Sequence, residues 1–272
     1  MDIKLTVLSL DQILGEHQLD VFKRYGTEAT PTEYAVERGV NEYMLREKHF
    51  TDKGLVPKSL LLNKGCCEYW TSTKVDGSIS KCYSYGKLEA APEPAWDEDN
   101  GIRVAVPWKD IQDYITNSYT INMDDKEILV VACGEYPQDV VDGEEKYIMN
   151  ALYRDGIAKP TGKTYAAIGY RTELFYDGNS RHFERDEYPE YEYNGEKYVL
   201  AKSACFHNGD SRFFWARVRP IEWIVDEESG LAITKDCIVG GIPLNRKGMY
   251  LGDFDKTLVQ DFIDNDLKCD IF

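Results

Sequence analysis

Gly162-Lys163-Thr164 has the residue types that close a phosphate-cradling loop, in which backbone amides curl around the phosphates and the lysine balances their charge. That loop needs a glycine five positions before Gly162. Position 157 is isoleucine and Pro160 lacks an amide, so the segment is not read as a nucleotide site. His17, His49, His182 and His207 stand apart from one another, and Cys205-x-His207 is the nearest approach to a metal-ligand pair. A metal centre takes three or four ligands, and none lies close by. Ser203 precedes His207 by four residues but lacks the strained G-x-S-x-G turn that presents a nucleophile. Asp97, Asp99 and Asn100 offer oxygens of the kind calcium takes, yet Ile102 occupies the position where a calcium loop needs glycine. The seven cysteines are odd in number and lack C-x-x-C spacing, which predicts reduced thiols in the core rather than disulfides or zinc. No catalytic residue, metal or cofactor is assigned, and the expectation is a protein that is not an enzyme.

Binding is the chemistry that remains. Tyr188, Glu190, Tyr191, Glu192 and Tyr193, with Tyr198 nearby, alternate aromatic and acidic side chains on both arms of a tight turn. Tyrosine gives a large contact area at low entropic cost, so these six residues are the candidate partner-binding set. The chain has 32 Lys and Arg against 48 Asp and Glu, a net charge of −16. Residues 1–118 hold −5 of it and the remainder −11. Such a chain repels phosphates, so direct nucleic-acid binding is excluded and a protein partner is expected. No run of about 18 apolar residues suggests a membrane span, and no basic-then-apolar leader opens the sequence, which makes the cytoplasm the expected setting.

The elements that must position these residues alternate short strands with a few helices. Ile3, Leu5 and Val7 predict a first strand, and Ser9 with Gln12 a capping box opening a short helix. Thr30-Pro31 with Glu33 predicts a helix start, ending near Gly39. Residues 47–58 and 90–101 read as loops, with an Asp76-Gly77 hairpin between them. Ile102, Val104 and Val106 predict a strand, followed by a short helix over 110–115. The polar residues 116–126 form a candidate boundary. After it come a strand over 128–132, a helix over 144–153 with Ile148 and Leu152 inward, and a hairpin turning at Asn194-Gly195. A strand over 213–225 pairs with 231–234, and a final helix spans 255–267. Helices and strands mixed along the chain give an α+β class.

Two sets of motifs carry a family resemblance. The first is Ala29-Thr30-Pro31-Thr32-Glu33-Tyr34-Ala35, Tyr69-Trp70-Thr71-Ser72, Asp76-Gly77-Ser78-Ile79 and Gly101-Ile102-Arg103-Val104-Ala105-Val106. The second is Gly134-Glu135-Tyr136-Pro137-Gln138 and Arg217-Val218-Arg219-Pro220-Ile221-Glu222-Trp223-Ile224-Val225. Together they resemble an uncharacterised bacterial or phage domain of the C-type-lectin-like, sulfatase-modifying-factor-like group, in which the second set normally precedes the first. The resemblance implies a C-type-lectin-like fold of short antiparallel strands, permuted or built of two partial modules: 1–118 as the second-half module and 119–272 as the acidic first-half module. It implies a buried structural role for Arg103, paired with a carboxylate, and core positions for Trp70, Trp108, Trp215 and Trp223. The calcium-and-sugar loops of the lectins have no match: Glu93-Pro94-Ala95 and Trp96-Asp97-Glu98 depart from them. The adjacent Cys66 and Cys67 do not reproduce the copper-binding cysteine pair of the formylglycine-generating enzymes. The functional expectation is a non-enzymatic protein-binding module, with two alternatives. One is a phage or mobile-element inhibitor of a host defence protein acting through its acidic surface; the other is a metal-dependent enzyme related to the formylglycine-generating group.

Overall fold

The computed structural model describes residues 3–40, 42–43, 65–75, 78–82, 88–89, 100–123, 126–170, 183–203, 213–244 and 253–272. The strands are β1 (Thr6–Val7), β2 (Glu42–Tyr43), β3 (Cys66–Cys67), β4 (Tyr69–Val75), β5 (Ser78–Cys82), β6 (Leu88–Glu89), β7 (Val104–Pro107), β8 (Ile115–Met123), β9 (Lys126–Val140), β10 (Lys159–Tyr170), β11 (Phe183–Tyr193), β12 (Glu196–Lys202), β13 (Phe213–Asp226) and β14 (Leu231–Thr234). The α-helices are α1 (Leu10–Leu14), α2 (Asp20–Tyr25), α3 (Glu33–Glu37), α4 (Trp108–Ile111), α5 (Gly143–Arg154), α6 (Leu258–Phe262) and α7 (Lys268–Ile271), with a π-helical turn, Ile263–Leu267, joining the last two. Mixed helices and antiparallel sheets place the chain in the α+β class. Among the described residues no helix is long and apolar enough to cross a membrane.

Nine strands form one sheet around β13. One long side of β13 pairs with β9, and β8 lies beyond β9. On its other side β13 is shared by two wings: Phe213–Arg217 pairs with β12, which leads to β11 and β10, while Trp223–Asp226 pairs with β14, which leads to β7 and β1. Strands from 1–118 and from 119–272 therefore belong to one sheet, joined where Ala232 faces Val106. Of residues 116–126, expected as a boundary, 116–123 lie in β8 and 126 in β9, where Ser118↔Val131 and Ile121↔Ile128 are cross-strand pairs.

β13 is buried on both faces near its two ends, while Arg217, Arg219 and Glu222 occupy half-buried positions in its middle. Phe214, Ala216, Trp223 and Val225 join the largest core, with α6 and the π-helical turn. Ile224 faces a second core with Ile13, Val21 and Phe22 of α1 and α2, and Trp215 a third under α5. Local signals that need only neighbouring residues are realised. Ser9 and Gln12 form the capping box, and Asn194 and Gly195, with φ of 54° and 79°, make the turn between β11 and β12. Others shift. The cap of α3 is Thr32, whose hydroxyl accepts from the Ala35 amide, because Pro31 is held in a bridge with Cys237. Glu33, instead of reaching back to the cap, accepts from the Val140 amide at 2.7 Å. In α5 it is Met149 that is buried, and Ile148 points outward. The loop over 47–58 and residues 90–99 lie outside the described residues.

Candidate functional site

The six residues of the candidate binding set occupy β11 and β12, a hairpin covered on both sides. Tyr191 and Tyr198 are buried under α5 with Met149 and Trp215, and Tyr193 is half-buried against the same cluster. Tyr153 of α5 closes over them, its ring edge-on to Tyr191 at 5.6 Å and to Trp215 at 5.8 Å. The Tyr198 hydroxyl donates to Glu145 Oε1 at 2.9 Å, and the Arg217 guanidinium pairs with the same carboxylate. Tyr188 lies in the opposite core, where the buried Arg38 guanidinium stands 5.6 Å from its ring centre, and its hydroxyl donates to Asp186 Oδ2 at 3.1 Å. Burial pushes the Tyr188 phenol up to about 12. Glu190 is also buried and accepts from the hydroxyls of Thr161 and Tyr165, each at 2.8 Å. Of the set, only Glu192 is exposed. Contact with a partner through Tyr188, Glu190, Tyr191 or Tyr198 would require lifting the elements that cover them. Aromatic surface does face outward on the helix that covers them, at Tyr147 and Tyr153.

Among the described residues, groups suited to covalent and metal chemistry do not converge. Cys66, Cys67, Cys82, Cys133 and Cys237 are buried, and Cys269 is exposed. Burial pushes the thiols of Cys66, Cys82 and Cys133 up to about 11, so they stay protonated and weakly nucleophilic at neutral pH. Among the described residues no group of three or more His, Cys, Asp or Glu could hold a metal ion. His49, His182, His207, Cys205, Asp97 and Asp99 lie outside the described residues. Arg103 is buried as expected, but its partner is not a carboxylate among those residues. Its Nε donates to the Thr234 carbonyl at 2.8 Å, and the guanidinium lies over the rings of Phe22 and Tyr69. Trp70, Trp215 and Trp223 are fully buried, and Trp108 packs partly exposed against the main core.

Among the described residues, the outer edge of β8 is a free edge of the sheet. This strand pairs with β9 alone among the described residues. Thr116, Asn117, Ser118, Tyr119, Thr120 and Asn122 are exposed. The Ser118 amide donates to Asn117 Oδ1 at 2.9 Å, so it points away from the β9 ladder. By the alternation of an antiparallel pair, the amides of Thr120 and Asn122 point outward too. All nine residues of Ile115–Met123 are uncharged, in a chain 29% charged. That lack of charge, together with Ile, Thr and Tyr, is the sequence signal of a bare edge. It goes unread when only apolar alternation is sought.

Beside β8 lies a cleft of about 520 Å3 that includes Thr120 in its wall. Its carboxylates are Asp20, Glu127, Asp226, Glu227 and Glu228. Asp226 is committed to the fold, accepting from the amides of Val21 at 2.8 Å and Ser229 at 2.9 Å, and Asp20 pairs with Arg24. Glu127, Glu227 and Glu228 are exposed and enter no ion pair among the described residues. A second cleft of about 520 Å3, lined by Glu33, Glu37, Asp139 and Asp142 among others, has no part of β8 in its wall.

No family model, curated protein or solved structure matches the chain.

Proposed function

We propose that the protein is a non-enzymatic protein-binding module that takes up an extended segment of its partner along β8. The observation that carries this reading is a nine-residue outer strand without a charge, exposed at residues 116–120 and at Asn122, whose outward amides meet no second strand among the described residues. Native sheets blunt such edges with lysine, proline or a covering element, because unpaired amides and carbonyls template the addition of another chain. A partner's strand satisfies them, with main-chain hydrogen bonds giving affinity and alternate side chains giving selectivity. The surface differs from the tyrosine set, whose side chains are spent on internal packing. The finer assignment, a C-type-lectin-like scaffold with its halves in permuted order, belongs to the same proposal. It rests on the motif resemblance and on a sheet that draws strands from both parts of the chain.

A photo-crosslinking residue placed at Ser118 tests the reading in native-host lysate, with the same residue at exposed Glu144 as the control. The expected result is a protein adduct specific to position 118 that disappears when Thr120→Pro removes an outward amide. Equal adducts at both positions, or an adduct unchanged by Thr120→Pro, would overturn it.

A further inference from the structure

The acidic cleft and the bare edge are one surface, because Thr120 belongs to both. We infer that the segment added to β8 is basic, carrying Lys or Arg at alternate positions whose side chains enter the cleft between Glu127, Glu227 and Glu228. The inference rests on the strand-addition reading and adds the chemical class of the partner.

Three features of the surface lead there. A strand laid beside β8 sits about 4.8 Å away, and its side chains on one face repeat about every 6.8 Å, so successive ones pass the cleft wall at Thr120. Among the described residues the cleft holds carboxylates without matching cations: Arg24 is the one basic residue of its wall, and it is already paired with Asp20. Three exposed carboxylates in a partly enclosed space repel one another, and an incoming ammonium or guanidinium relieves that repulsion. The strand itself is neutral, so the hydrogen-bonding edge selects no charge and leaves that choice to the cleft. Two copies of this chain pairing through β8 would bring two such clefts, and two net charges of −16, toward one another. The second acidic cleft has no part of β8 in its wall and lies apart from this edge.

The test uses displayed random 12-residue peptides selected on the full chain and on its Thr120→Pro variant, with sedimentation equilibrium of each protein alone. Recovered peptides are expected to be enriched at least tenfold in Lys and Arg at alternate positions and to be lost on Thr120→Pro. Their affinity is expected to fall at least tenfold on the double change Glu227→Lys, Glu228→Lys, and to weaken as salt rises. Peptides that depend on Thr120 but carry no basic enrichment, or ignore the double change, would overturn the basic partner and leave strand addition standing. Peptides held equally by Thr120→Pro would overturn strand addition itself. A dimer of the free protein that dissociates in Thr120→Pro would assign the edge to a second copy and also overturn the basic partner.

Discussion

The outer strands β10 and β8 belong to the same sheet, and they differ in what lies beyond them. Around Ala166 the chain supplies its own cover beyond β10, while residues 159–162 at the start of that strand are exposed. The buried Asp270 of α7 accepts from the Ala166 amide at 2.8 Å, an amide that bonds outside the β10–β11 ladder, and Arg185 of β11 pairs with Asp266 in the π-helical turn. Phe262, Ile263, Leu267 and Ile271 bury the same segment in the main core. Beyond β8, among the described residues, an outward amide meets only the neighbouring Asn117 side chain. A fold that spends its C-terminal segment on one edge has the means to close an edge. An uncharged strand left bare on the other side is therefore better read as a surface for use than as unfinished packing.

Several substitutions break or sharpen this contrast. The largest effect is expected for Phe262→Ala, which opens a cavity where the C-terminal segment meets the core and should cost about 3–5 kcal/mol in denaturant unfolding. Next comes Glu190→Ala, which strips the acceptor from Thr161 and the buried Tyr165 hydroxyl on β10 and should cost about 1–3 kcal/mol. It tests whether Glu190 serves the covered edge: a crosslinked adduct at Ser118 should survive this change. Tyr119→Pro should cost a similar amount, about 1–3 kcal/mol, because the Tyr119 amide faces β9.

Asp270 gives a smaller effect that depends on pH. Burial raises its carboxyl from 3.8 to about 6, against the Ala166 amide, Lys163 and Arg185, which lower it, while Glu187 adds to the rise. The folded state thus holds a proton that the unfolded state releases, and this contribution to stability declines as pH rises from about 4 to 6. Asp270→Asn keeps an acceptor for Ala166 and removes the charge. It should add on the order of 1 kcal/mol at pH 7 and flatten the stability profile across that window. The smallest change in stability is expected for Thr120→Pro, within about 0.5 kcal/mol in thermal unfolding, since its amide points to solvent. A loss comparable to Tyr119→Pro would mean that the outward amide of Thr120 already has a partner.

What was legible in the sequence was local. The capping box at Ser9 and Gln12, the Asn194-Gly195 turn and the long β13 strand are set by residues a few positions apart, and the structure has them. The burial of Tyr188, Glu190, Tyr191 and Tyr198 was not legible, because alternating tyrosine and glutamate suggests one wet face. Here α5 covers one face and the main core the other, and Glu190 is made tolerable by two hydroxyls from β10. Arg103 shows the same gap: the expected carboxylate is replaced by a carbonyl and two rings contributed from distant parts of the chain. β8 reads as a boundary in the sequence because its Thr, Asn and Ser residues lack an apolar period. A strand with an exposed face and a free edge needs none.

Amide hydrogen exchange of the free protein, resolved at single residues by NMR, tests the contrast between the two edges most directly. The account predicts rapid exchange at Thr120 and Asn122, slow exchange at Tyr119 and Ile121 in the β9 ladder, and slow exchange at Ala166 under Asp270. Thr120 and Asn122 protected to the level of Ala166 would show that the β8 edge is already occupied, and would contradict it.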